Sequence, residues 1–148
     1  DLPDHLAEFR RTIRTHNPGL EMRLYDDAAC RACIEEHWPD LLPAYDRLPF
    51  GVARSDVFRL VTVYGEGGFY ADLDMECVRP IDLFRETDRA VFSIEAKVMP
   101  QRRRELGYEQ PFQLANFMFG APARHPFLRD VITWIAKRLA TAPVRWED

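Results

Sequence analysis

Lysine is nearly missing from this chain: of 20 basic residues, only Lys97 and Lys137 are lysine and the other 18 are arginine. Arginine suits bidentate grips on phosphate and carboxylate, although codon bias in a GC-rich genome is the simpler account. Positive charge is not in surplus either. The net charge of −4 argues against a general nucleic-acid binder, which would carry a basic surface. No apolar run approaches the span of a membrane helix, and Asp1-Leu2-Pro3-Asp4-His5 does not have the form of a signal peptide.

Cysteine is scarce too. Three cysteines make an odd count without paired spacings, so no disulfide framework is expected and the chain reads as a reduced, cytoplasmic-type protein. Cys30 and Cys33 form a CxxC with His37 after it, but a structural zinc site takes four ligands and no second pair appears. Residues three apart share a helix face. Two small apolar core contacts account for that spacing.

What is present describes one soluble globular domain of 148 residues, 47% hydrophobic and 30% charged, long enough to bury a core. Leu6, Phe9, Arg10, Ile13 and Arg14 recur at helical spacing, and Asn17-Pro18-Gly19 stops that helix. Leu20 to Tyr25 alternates as a half-buried strand would. Asp26 or Asp27 then caps a helix reaching about His37, and the prolines of Trp38 to Phe50 break that stretch into short turns. Val52 to Tyr64 is a long apolar helix ended by Gly65 and Gly67-Gly68.

A short strand follows and leads into Asp72-Leu73-Asp74. Arg79-Pro80-Ile81-Asp82 is expected to turn toward a short segment around Leu83-Phe84. Strands are expected at Ala90 to Ile94 and Phe112 to Phe119, a loop at Val98 to Pro111 and a closing helix at His125 to Leu139. Strands alternating with helices imply an α/β fold with a mainly parallel sheet.

The chemistry concentrates in residues 55–76. Strand residues two apart point to the same face, so Asp72 and Asp74 present two carboxylates to one side if the strand runs through both. Such a pair suits Mg2+ or Mn2+, which prefer oxygen ligands and use one or two carboxylates alongside phosphate. On the preceding helix Asp56 and Arg59 lie three apart, in a segment that is otherwise apolar. Alone they read as an intrahelical ion pair worth a few tenths of a kcal/mol, on the order of 0.3. A buried pair of this kind must otherwise be turned toward a cleft.

Taken together, Ser55-Asp56, Arg59, Tyr64, Gly67-Gly68, Tyr70, Asp72, Asp74 and Pro80-Ile81 strongly resemble the Asp-x-Asp sugar-binding region of glycosyltransferase family 32. Asn17-Pro18-Gly19 with Leu24-Tyr25-Asp26-Asp27 is similar to the family's upstream stretch, and Asn116-Phe117-Met118 through His125-Pro126 to its downstream one. The resemblance implies a GT-A fold, Rossmann-like, with a mostly parallel sheet between helices. It also implies Mn2+ or Mg2+, a UDP- or GDP-sugar donor, a glycan or other hydroxyl acceptor, and transfer with retention of configuration. Asp74 would then be the direct metal ligand, and Asp72 would contact ribose or sugar hydroxyls and reach the metal through water. Asp56 and Arg59 would grip donor-sugar hydroxyls, with Ser55, Tyr70 and Asn116 lining the pocket. Family members usually carry an apolar strand before the first helix and a further C-terminal segment. The chain is therefore read as a single domain or a fragment trimmed at both ends. Its location would be cytoplasmic in a bacterium, or the Golgi lumen in a eukaryote.

Other signals have simpler accounts. Arg102-Arg103-Arg104 can clamp a diphosphate but reads as a solvated loop. Glu76 reads as facing solvent, Glu95 stands at a strand end, and His125 reads as a helix start. Two further functions compete: a non-catalytic sugar-nucleotide-binding or scaffold domain of the same fold, and a metal-dependent phosphohydrolase or exonuclease built on Asp72, Asp74 and Glu76. The latter families place that motif on their first strand, whereas a long helical region precedes it here.

Overall fold

The computed structural model describes residues 3–81 and 89–141. Helices open the chain: α1 (Asp4–His16), α2 (Asp27–His37), a 3-10 turn at Pro39–Leu41, α3 (Leu42–Tyr45) and α4 (Gly51–Glu66). Strand β1 (Gly68–Ala71) follows directly, then β2 (Val91–Lys97), α5 (Pro100–Leu106), β3 (Phe112–Ala121) and α6 (Pro126–Thr141). Asp26 caps α2, its carboxylate accepting the Ala29 N–H at 2.8 Å, as a residue outside the helix with a short acceptor side chain does. Expected Asp82 and the Leu83-Phe84 segment, like Arg145 to Asp148, lie outside the described residues.

The core forms where α4 is covered on several sides. Ile34 of α2, Leu41, Val61 of α4 and Ile132 of α6 are buried in one cluster, and Val63, Phe119, Ala121 and Leu128 in a second beneath the sheet. Phe119 alternates inward on β3 and stacks on Phe92 with ring centroids 5.0 Å apart. Helix α4 thus touches both clusters and is the beam on which the sheet sits.

The sheet differs from the expectation of mainly parallel strands. The described residues hold three strands in the order β1-β3-β2, and both pairings are antiparallel. One expected strand is also not a strand. Leu20 to Tyr25 runs without ladder partners among the described residues, and Leu20 and Leu24 stay exposed. Side chains tether this segment instead, Tyr25 donating to Glu66 at 3.0 Å and Arg23 pairing with the same carboxylate. Between it and the outer edge of β1 lies a cavity of about 330 Å³, lined by Met22, Leu24, Phe69, Ala71 and Leu73.

The loop expected at Val98 to Pro111 contains α5. Pro100 occupies its first turn, where a missing N–H costs nothing, Arg102 pairs with Glu105 at 3.0 Å, and Gly107 closes it in the left-handed region. Of the arginine triplet, Arg102 and Arg103 are held within this segment, Arg103 donating to the Glu109 carbonyl.

Candidate active site

Two neighbouring glycines deliver the site. Helix α4 ends at Gly67 with φ 73, a conformation that a side chain would strain, and a Cβ there would lie 2.7 Å from the Ala123 backbone nitrogen. The chain therefore turns sharply from α4 into β1 and carries Tyr70 and Asp72 back alongside the helix face bearing Asp56 and Arg59.

Arg59 is the centre of the resulting cluster. Its side chain is 7% exposed, with Nη1 3.1 Å from Asp56 Oδ1 and Nη2 3.4 Å from Asp72 Oδ1. The guanidinium lies 5.2 Å from the centroid of the Tyr70 ring, within cation–π range. Tyr70 donates its hydroxyl to the same Asp72 oxygen at 2.6 Å. Burial, then the hydrogen bond to Asp72, push the Tyr70 phenol well above its ordinary value. From β3, Asn116 donates Nδ2 to Asp56 Oδ1 at 3.1 Å. The Arg59 Nε, buried as well, meets no hydrogen-bond acceptor among the described residues.

Five of the seven expected residues thus form one network: Asp56, Arg59, Tyr70, Asp72 and Asn116. Ser55 is exposed and lines a neighbouring cavity of about 460 Å³ that Tyr70 also borders. Asp74 stands apart. The strand stops at Ala71 and a turn follows, Met75 donating its backbone N–H to the Asp72 carbonyl at 3.3 Å. Strand alternation therefore does not set how the two aspartates face. Asp74 is exposed and makes no side-chain hydrogen bond or ion pair among the described residues.

That difference sorts the two carboxylates. Asp72 spends Oδ1 on Tyr70 and Arg59, while its Oδ2 carries no hydrogen bond among the described residues. Asp74 keeps both oxygens free. An all-oxygen donor set of this kind fits a hard divalent ion such as Mg2+ or Mn2+. Basic side chains stand close by, since the cavity of about 330 Å³ beside Asp72 also has Arg10, Arg14 and Asn17 in its wall.

Sequence reading missed the residues that hold the acidic turn from behind. Thr12 of α1 accepts the Cys77 N–H at 2.8 Å, and buried Asn17 accepts the Ile81 N–H at 2.7 Å while donating to the Ile13 carbonyl at 3.0 Å. The one available signal was an asparagine just past a helix end, where its side chain can satisfy open backbone groups. Glu76 and Glu95 are exposed, and His125 precedes α6, its Nδ1 accepting the Phe127 N–H at 3.3 Å.

Comparison with known proteins agrees with the motif. Residues 3–91 match the family model described as glycosyltransferase sugar-binding region containing DXD motif. Among curated proteins, the chain is 28% identical over 132 residues to inositol phosphoceramide mannosyltransferase 3 of Schizosaccharomyces pombe, covering 89% of this chain and 33% of that protein. It is 30% identical over 137 residues to inositol phosphoceramide mannosyltransferase 2 of the same yeast, covering 93% and 35%. It is 23% identical over 145 residues to the initiation-specific alpha-1,6-mannosyltransferase of Candida albicans, covering 90% and 38%. The chain spans about a third of the length of these relatives. No solved structure matches it significantly, and among the described residues no helix is long and apolar enough to cross a membrane. The match over residues 3–91, together with the Asp56–Arg59–Asp72 cluster, makes this chain a member of the DXD-containing glycosyltransferase family.

Proposed function

We propose that this domain is the catalytic part of a metal-dependent, retaining glycosyltransferase with the GT-A fold, taking a sugar from a UDP- or GDP-sugar to a hydroxyl of a glycan or lipid-linked acceptor. The observation that carries this reading is Arg59, buried between the carboxylates of Asp56 and Asp72 and against the Tyr70 ring. The relatives are named as mannosyltransferases, so a mannosyl donor is the first to try. The compartment follows the source cell: cytoplasm in a bacterium, Golgi lumen in a eukaryote.

Each residue has a task in this reading. Asp74, with Asp72 beside it, would hold Mn2+ or Mg2+, which supplies charge neutralisation for the leaving diphosphate and a template for it. Tyr70 and Arg59 fix the Asp72 carboxylate through one oxygen, so its other oxygen meets ribose or sugar hydroxyls in a set direction. Asp56, held by Arg59 and Asn116, accepts from donor hydroxyls. Arg59 itself offers its guanidinium edge to the same sugar. Ser55 widens the set of polar contacts at the rim.

The test is release of UDP or GDP from a panel of sugar nucleotides with Mn2+, beside an EDTA control and Asp74→Ala. Release from one donor, lost in both controls, supports the reading. Undiminished turnover by Asp74→Ala removes the metal assignment.

A further inference from the structure

The cysteine–histidine spacing that looked incomplete in the sequence gains a third donor in the fold. Cys33 and His37 stand four apart on α2, so they share one helix face. Helix α2 packs on α4, and the end of α4 brings Glu66 to that face. The Cys33 thiol, a His37 ring nitrogen and a Glu66 carboxylate oxygen lie within 4.8 Å of one another. His37 Nε2 is 3.8 Å from Glu66 Oε1.

The surroundings hold these donors in place. Cys33 is buried, and the His37 side chain is 10% exposed. The ring lies against Gly65, where a Cβ would come within 2.2 Å of it. Only glycine leaves room for that approach. The Glu66 carboxylate is oriented from outside by the Tyr25 hydroxyl at 3.0 Å and by Arg23, the kind of outer support that metal-bound carboxylates carry.

We propose that Cys33, His37 and Glu66 form a second cation site, for a zinc-class ion, separate from the Asp72–Asp74 turn. Ligands about 2.0–2.3 Å from a tetrahedral zinc sit roughly 3.5 Å from each other, so the cluster closes on an ion by moving about an ångström. One sulfur, one nitrogen and one oxygen suit a borderline-soft ion, whereas the oxygen-only turn suits Mg2+ or Mn2+. On binding, the ion takes the thiolate and the thiol proton leaves to solvent. Of the three donors, Glu66 borders the cavity of about 460 Å³ that Tyr25, Cys30 and Thr62 also line. The site ties α2 to the end of α4, next to Gly67 and the strand that carries Asp72.

Cobalt reports on this directly. Metal-free protein titrated with Co2+ should develop a thiolate-to-cobalt charge-transfer band as one ion occupies this site, and Zn2+ should abolish the band by displacement. Cys33→Ser should lose the band, and His37→Gln and Glu66→Gln should each weaken Co2+ binding at least about 10-fold. Cys30→Ser, Cys77→Ser and the Asp72→Asn/Asp74→Asn double variant should keep it. Zn2+ should also raise the melting temperature of the parent protein and not that of Cys33→Ser. No charge-transfer band from parent protein with native circular dichroism overturns the proposal. So does a band that survives in Cys33→Ser and disappears in Cys30→Ser.

Discussion

Arg59 and Asp72 meet at 3.4 Å across the junction of α4 and β1, the guanidinium buried and the carboxylate half-buried at the site's edge. Thirteen positions of chain, including the glycine turn, separate the two, so the contact depends on the turn. Arg59 also holds Asp56, and removing it strands two carboxylates at once. Arg59→Ala should cost about 3 kcal/mol, the lower end for breaking a buried pair because both carboxylates reach solvent. For a domain of this size that lowers the melting temperature by about 6–12 °C. Arg59→Lys keeps the charge but not the fork that spans both partners. It should melt nearer the parent in a thermal scan and still lose most transferase activity.

Tyr70→Phe isolates the hydroxyl. The ring stays over Arg59 and beside Phe119 at 5.9 Å between centroids, while the 2.6 Å bond to Asp72 is lost. A hydrogen bond to a charged acceptor contributes about 1.5–3 kcal/mol, and half-exposure places this one at the lower end. Urea unfolding should show a lower midpoint with an unchanged slope. A freed Asp72 should raise KM for the donor more than it lowers kcat.

The same phenol makes an alkaline prediction. Tyr70 holds its proton more tightly folded than unfolded, above the ordinary 10.0, because burial and then the neighbouring Asp72 disfavour the phenolate. Tyr45 is likewise pushed up to about 12, mainly by burial. Above the unfolded value the unfolded chain releases these protons first, so stability is full below about pH 10 and falls as pH rises beyond it. Stability curves from pH 8 to 12 should drop steeply in the parent and less steeply in Tyr70→Phe. Parallel curves would remove Tyr70 from this account.

The sequence made much of this legible, for local reasons. Helix α4 and the glycine stop follow from apolar periodicity and from two residues that tolerate positive φ. The Asp56–Arg59 pair follows from helical spacing, and the structure places it at 3.1 Å. What failed was non-local. Leu20 to Tyr25 has the alternation of a strand, but a strand needs a ladder partner, and no pattern within the segment says where one lies. The Asp72–Asp74 geometry failed because a turn begins at Asp72, which the short apolar run up to Ala71 does not foreshadow. Thr12 and Asn17 were invisible as site supports because their partners, Cys77 and Ile81, lie more than 60 positions away. Helix α5 had signals, Pro100 at its start and Gly107 at its end, hidden by the arginine run.

Two glycines should respond oppositely to one added methyl. Gly67 has φ 73 and a would-be Cβ 2.7 Å from the Ala123 nitrogen, so Gly67→Ala meets both strain and a backbone clash. A cost of about 2 kcal/mol or more is expected from left-handed strain alone plus the clash. Gly51 opens α4 with nothing within 4 Å of its would-be Cβ. Gly51→Ala should therefore stabilise by up to about 1 kcal/mol through helix propensity. Paired melting curves decide it, and a Gly67→Ala protein as stable as the parent would contradict the tight turn.

The two aspartates should separate metal binding from architecture. Asp74 has no partner among the described residues, so Asp74→Asn should leave the melting temperature of the metal-free protein within about 2 °C, as surface substitutions change stability by about 0.5 kcal/mol or less. Asp72→Asn should destabilise, because Arg59 and Tyr70 lose the charge they share. Mn2+ affinity, read by titration against the free ion's paramagnetic signal, should fall at least about 10-fold in Asp74→Asn. Asp72→Asn should weaken it less, since one oxygen of that carboxylate is already committed to the protein. Equal loss in both variants would mean that Asp72 binds the ion as directly as Asp74. An unchanged affinity in Asp74→Asn would move the metal away from the turn altogether.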